Sequence, residues 1–130
     1  MPIRPVKDLV AEAKAQIETL SVADALAAHL AGDILLVDIR DPRELHREGR
    51  IPGAFHAPRG MLEFWIDPAS PYHKPALATD KKLVLFCASA WRSALSVKTL
   101  QEMGVDNIAE MDGGFSGWAK SGAPVEKDEA

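Results

Sequence analysis

The chain has 130 residues, 47% hydrophobic and 26% charged, a balance that suits one globular domain with its own core. A formal charge of -4 without any Lys/Arg stripe argues against a nucleic-acid surface, no apolar run nears the roughly 20 residues of a membrane span, and Met1-Pro2-Ile3-Arg4-Pro5 lacks the apolar stretch of a signal peptide. A single cysteine excludes an internal disulfide and a cysteine-built zinc site, and makes a reducing cytoplasm the simplest setting.

Val6 to Leu20 reads as a helix, with Leu9, Val10, Ala13 and Ile17 spaced for one face. Ser21 is a candidate N-cap, with Asp24 three residues on, for a helix to about Leu30 that Gly32 ends. Ile34-Leu35-Leu36-Val37 is a continuous apolar run of the kind found in buried parallel strands, and it stops at Asp38-Ile39-Arg40. Asp41-Pro42 is a cap followed by proline at the first helical position, opening a short helix to Glu48 that Gly49 closes. A loop from Ile51 to Pro58 carries a short strand around Ala54-Phe55-His56. Gly60 to Thr79 is irregular, with a helical turn at Met61 to Trp65 and prolines at 68, 71 and 75. A loop of that length is functional or mobile.

Leu83 to Phe86 is a second buried strand, and Cys87 follows it directly. A helix from about Arg92 ends near Met103, with Gly104 as its left-handed terminator. A weak strand lies within Val105 to Glu110, and Gly113-Gly114-Phe115-Ser116-Gly117-Trp118 opens a last short helix. Strands alternating with helices imply right-handed crossovers and a mostly parallel sheet. The acidic stretch from Glu126 to Ala130 is expected to fray.

Cys87 therefore sits where an apolar strand hands over to a helix. Ligand chemistry gathers at the carboxyl ends of parallel strands. The start of the next helix offers unpaired N–H groups and a partial positive charge. A thiol there is well placed to ionise, and the thiolate is the nucleophile. The helix terminus alone supplies about 0.3 to 2 kcal/mol, roughly 0.2 to 1.5 pKa units. Direct N–H bonds and Arg92 have to add the rest.

Three segments resemble the single-domain rhodanese family of sulfurtransferases. Asp38-Ile39-Arg40-Asp41-Pro42-Arg43-Glu44-Leu45 with Gly49-Arg50-Ile51-Pro52-Gly53-Ala54-Phe55-His56 is similar to its first signature. Cys87-Ala88-Ser89-Ala90-Trp91-Arg92-Ser93 resembles its Cys-x-x-Gly-x-Arg-Ser loop, and Gly113-Gly114-Phe115 with Trp118 its C-terminal signature. The resemblance implies an α/β, three-layer fold with a central, mostly parallel five-stranded sheet and helices on both faces. It divides the chain into a helical extension (1–20), the domain (21–124) and an acidic tail (125–130). The chain departs from the family at Arg50, where a histidine is usual, and at Ala90, where the loop glycine is usual. If position 90 needs a positive φ, alanine there is strained.

The resemblance also implies roles. Cys87 would be nucleophile and sulfur carrier. The backbone of Ala88, Ser89, Ala90, Trp91, Arg92 and Ser93 would cradle the anion. Arg92 would bind an anionic donor such as thiosulfate. Arg40 either faces the pocket as a substrate-binding residue or pairs with Asp38 or another carboxylate, and Asp38 is read as structural. The lone cysteine cannot resolve its own persulfide, so the acceptor would be cyanide, a cellular thiol or a thioredoxin-like protein. No metal and no cofactor is expected, and the residues leave the oligomeric state open. Related phosphatases use Cys-x5-Arg, whereas Cys87 to Arg92 is Cys-x4-Arg, a smaller cradle that suits one sulfur better than a phosphate.

Other readings stand beside these. A rhodanese-like module that only binds a partner is the competing class, and a phosphatase or arsenate-reductase chemistry is a third. His56 offers a Cys–His pair, though no third group supports a papain-like hydrolase. Gly113-Gly114 lacks the Lys-Ser/Thr of a phosphate loop and reads as tight turning and packing. Trp118 reads as core. Trp91 covers the pocket, faces solvent or contacts a partner. Phe64 and Trp65 pack over the site, and the N-terminal helix is a docking element, a dimer element or a cover for the sheet.

Overall fold

The structure is a computed structural model, and residues 2–127 of it are described. In chain order the elements are α1 (Val6–Lys14), β1 (Glu18–Leu20), α2 (Val22–Ala31), β2 (Ile34–Asp38), α3 (Pro42–Glu48), β3 (Phe55–His56), α4 (Leu62–Ile66), β4 (Lys82–Phe86), α5 (Trp91–Glu102), β5 (Ile108–Met111) and α6 (Gly114–Lys120). Single 3-10 turns occupy Arg59–Met61 and Pro75–Leu77.

The helix starts follow local chemistry. Ser21 accepts the Asp24 N–H and caps α2. Asp41 and Glu44 form a reciprocal capping box around Pro42, which fixes the entry to α3. Gly32 ends α2 in the left-handed region, at φ 77°.

The five strands form one sheet in the order β1-β5-β4-β2-β3, and every pairing in it is parallel. Alternation along the strands sorts side chains to two faces. Leu83, Leu85 and Cys87 join Val37, Ile39, Leu62, Val97 and Leu100 on the side of α4 and α5. Val84 and Phe86 join Leu36, Ala25, Phe115 and Trp118 on the side of α2 and α6. Helix α1 packs on α5 through Val10, Ala13 and Ala94. The result is the three-layer α/β fold with helices on both faces.

Three expectations need correction. The first helix ends at Lys14, and residues 18–20 are the edge strand β1 rather than a continuation of that helix. Ile17, Thr19 and Leu20 favour extended backbone, and the open edge of β5 supplies partners such as Asp112, whose N–H donates to Leu20 O at 2.8 Å. The 60–79 region carries its expected helical turn as α4, and the part expected as loop also holds a 3-10 turn at Pro75–Leu77. The tail does not fray at its start: Glu126 and Arg50 exchange two backbone hydrogen bonds, at 2.8 and 2.9 Å. Residues 128–130 of that expected tail lie outside the described residues.

Candidate active site

Strand alternation delivers Cys87 to the α4/α5 face at the end of β4, 1% exposed. The chain then turns sharply. Ala90 has φ 78° and ψ 16°, the left-handed region, and it is the one non-glycine with positive φ among the described residues. That kink carries the Ala90 N–H back to the sulfur, donating to Sγ at 3.2 Å. Helix α5 begins at the next residue. The strain expected of alanine at this position is present, at a cost of about 1–2 kcal/mol.

The opposite side of the loop is fastened by α6. Phe115 N–H donates to Cys87 O at 2.7 Å and Ser116 N–H to Ala88 O at 3.1 Å. With these carbonyls held outward, the following N–H groups are free to turn inward. The contact needs glycine: a Cβ on Gly114 would lie 2.4 Å from Cys87 O. Gly113-Gly114 is thus close packing against the loop, as its sequence suggested.

Burial pushes the Cys87 thiol up, and the N–H groups of Ser93, Ser89 and Ala90 together with the Ser93 side chain outweigh it, so the net displacement is downward. The sulfur therefore sits inside apolar packing with its ionisation eased by the hydrogen bonds aimed at it. Small or exposed residues flank it: Ala88 is half-buried, and Ser89 and Trp91 are exposed.

Arg92, in the first turn of α5, is half-buried and held in a fork by Glu44 of α3, with Nη1 and Nη2 donating at 2.6 and 2.9 Å. The Glu44 carboxylate raises the Arg92 pKa, and the Cys87 thiolate adds to it. In turn Arg92 holds the Glu44 carboxyl below its ordinary range. Glu44 had no site role in the sequence, where it stood only as part of the first signature-like segment.

Arg40 does not line this loop. It is fully buried, and its Nε and Nη2 grip both oxygens of Asp38 at 2.7 to 3.1 Å. Nη2 also donates to Gly49 O at 2.8 Å, and the guanidinium lies 4.0 Å over the Phe115 ring. Phe115 belongs to the α2/α6 side of the sheet, whereas Cys87 faces the other side. Of the two roles expected for Arg40, the pairing with Asp38 is realised and the substrate contact is not. A buried guanidinium has to find a carboxylate, and one stood two residues away.

The remaining candidates disperse. His56 bonds Arg40 O at 2.7 Å through Nε2, so it makes no pair with Cys87. Trp118 is core, and its Nε1 donates to Pro124 O at 2.7 Å. Trp65 packs edge-on against Phe55 and against the core cluster that includes Cys87, while Phe64 is 54% exposed. A surface pocket of about 360 Å³ is lined by Ile66, Asp67, Pro68, Met103, Gly104 and Val105, none of them from the loop. Among the described residues no group of three His, Cys, Asp or Glu could hold a metal, and no helix is long and apolar enough to cross a membrane.

Two residues missed by sequence reasoning complete the surroundings. Glu110 of β5 is fully buried and accepts the Ser93 hydroxyl at 2.8 Å. Lys14 of α1 donates to the same carboxylate at 3.0 Å. An acid inside a buried strand was the available signal, and it named no partner.

The Rhodanese-like domain family matches residues 21–121. The chain belongs to that family. Within it, the chain is 30% identical over 105 residues to a sulfurtransferase of Allochromatium vinosum, covering 79% of this chain and 90% of that protein. This rhodanese-like chain also superposes on solved structures. One is a Rhodopseudomonas palustris protein described as of unknown function and possible tyrosine phosphatase, with 53% identity, TM-score 0.91 and coverage of 97% and 99% of the two chains. Another is the polysulfide-sulfur transferase homodimer of Wolinella succinogenes, with 36% identity, TM-score 0.72 and coverage of 95% and 88%.

Proposed function

We propose that this rhodanese-like protein moves a sulfane sulfur from an anionic donor to a thiol or cyanide acceptor through a persulfide on Cys87. The observation that carries the reading is a buried sulfur facing backbone N–H groups, the Ala90 amide at 3.2 Å, in a loop whose hydrogen bonds outweigh the effect of burial on the thiol. With thiosulfate, the Cys87 thiolate attacks the outer sulfur, the S–S bond breaks, and sulfite leaves with the electron pair. The product Cys-S-S⁻ keeps its charge within the same ring of donors. Cyanide then takes the terminal sulfur as thiocyanate and returns the thiolate. A cellular thiol or a thioredoxin-like protein fills the acceptor role in a reducing cytoplasm.

The sulfurtransferase and the polysulfide-sulfur transferase among its relatives support the class of reaction, and the second adds polysulfide to the donors to be tried. Against phosphate chemistry stands the spacing of Cys87 and Arg92, together with the engagement of Arg92 by Glu44. The test is intact mass after incubation with thiosulfate or polysulfide. One added sulfur is expected on the native protein and none on Cys87→Ser, with thiocyanate released on adding cyanide and no hydrolysis of p-nitrophenyl phosphate. An adduct that survives Cys87→Ser, or no adduct with either donor, overturns the proposal; the latter points to a partner-binding module.

A further inference from the structure

Glu110 is a buried acid that the proposed chemistry leaves unused. Its two oxygens face different partners. Oε1 takes the Ser93 hydroxyl at 2.8 Å. Oε2 takes Lys14 Nζ at 3.0 Å and Thr19 Oγ1 at 3.1 Å. Lys14 and Thr19 come from α1 and β1, before the matched family segment begins at residue 21.

Ser93 has one hydroxyl proton and two neighbours that could take it. The carboxylate oxygen is at 2.8 Å. The Cys87 sulfur is at 3.7 Å. An O–H bond to a carboxylate is short and charge-assisted, whereas a contact of that length to sulfur is weak. The proton therefore goes to Glu110, and Ser93 turns a lone pair toward the sulfur.

We infer that Glu110 is a positioning residue that draws the Ser93 proton away from Cys87, leaving the sulfur anion chiefly to backbone N–H groups and Arg92. This rests on reading Cys87 as the reacting sulfur. Lys14 fixes the arrangement by occupying the far oxygen, which keeps the near one for Ser93. The other charges around the sulfur are Arg92 on α5, which attracts it, and Glu44 on α3, which holds Arg92. A Ser93 hydroxyl that donated to the sulfur would add to the amides in lowering the thiol. It would also blunt the nucleophile, because thiolate reactivity falls as its pKa falls.

Glu110→Gln tests this by inverting the bond. Lys14 donates, so the amide oxygen has to take its side, and the amide NH₂ then faces Ser93. Ser93 becomes an acceptor there and turns its proton to the sulfur. The readout is the rate of iodoacetamide alkylation of Cys87 against pH. The midpoint is expected to fall by about one unit, the size of a hydrogen bond to a charged group. The plateau rate is expected to fall about threefold with it. In a Ser93→Ala background the same substitution should lose more than half of its shift.

An unchanged midpoint, or a shift that keeps more than half its size without Ser93, overturns the inference. Should Glu110→Gln not fold, Ser93→Ala alone decides: a midpoint raised by no more than about half a unit supports it, and a larger rise shows that Ser93 already donates to the sulfur. Alkylation needs no sulfur donor. Shifts as expected with no mass adduct would remove the proposed function and keep the control of the thiol by Glu110; an adduct without the shifts would do the reverse.

Discussion

Strands β2 and β4 lie side by side with Asp38 opposite Phe86, and their carboxyl ends meet opposite fates. At the end of β2 the polar groups consume one another. Asp38 and Arg40 are buried and paired at 2.7 Å, Gly49 O also accepts from Nη2, the guanidinium lies over the Phe115 ring, and Nη1 is left 4.0 Å from Glu48 Oε2 without a hydrogen bond. At the end of β4 the sulfur accepts the Ala90 N–H and touches the Ser93 hydroxyl, and the Arg92 guanidinium is held by Glu44 from another helix. Position at a strand end is therefore not enough to make a site. The β2 end pairs opposite charges, whereas the β4 end surrounds one sulfur with hydrogen-bond donors.

The comparison can be broken most forcefully at the β2 end. Asp38→Asn leaves a buried Arg40 without its counter-charge and should cost about 3–5 kcal/mol in urea denaturation. A cost under 1 kcal/mol would show that the two ends do not differ in this way. At the β4 end, Arg92→Ala should leave stability nearly unchanged and lower kcat/KM for thiosulfate by about 10- to 100-fold, measured as thiocyanate formation. Ala90→Gly relieves the left-handed alanine and should raise stability by about 1 kcal/mol, read as a higher urea midpoint. No gain would mean that the kink carries no strain.

The smallest effect concerns the link between the two ends, Glu44 with Arg92. The folded Glu44 carboxyl lies below its ordinary value of 4.5 because of Arg92. A depressed carboxyl stabilises the fold above its unfolded pKa and loses that contribution as pH falls through the folded value. Native protein should therefore lose slightly more stability than Glu44→Gln between neutrality and about pH 3, by under about 1 kcal/mol, since the pair is partly solvated. Parallel urea titrations at the two pH values read the difference.

Much of this was legible in the residues. The apolar runs of β2 and β4, the Ser21 cap and the Asp41-Pro42 helix start are local signals that tertiary packing did not override. Cys87 and its loop were legible because one short segment carries both nucleophile and donors. Strand β1 was hidden: three residues give no period, and the helical spacing before them ran on through Ile17. Glu110 was hidden for another reason. Its partners Ser93, Thr19 and Lys14 stand 17, 91 and 96 residues away, and no spacing rule reaches that far. The fate of Arg40 depended on which face of the sheet it met, which parity within β2 implied but only the packing of Phe115 revealed.

The sheet order leaves β1 as the outermost strand beside β5. Three residues thus shield a rim of main-chain groups whose side chains, Ile108, Ala109 and Met111, are all buried. Trimming the leader up to residue 21 would bare that rim, and bare strand rims recruit further copies into growing stacks.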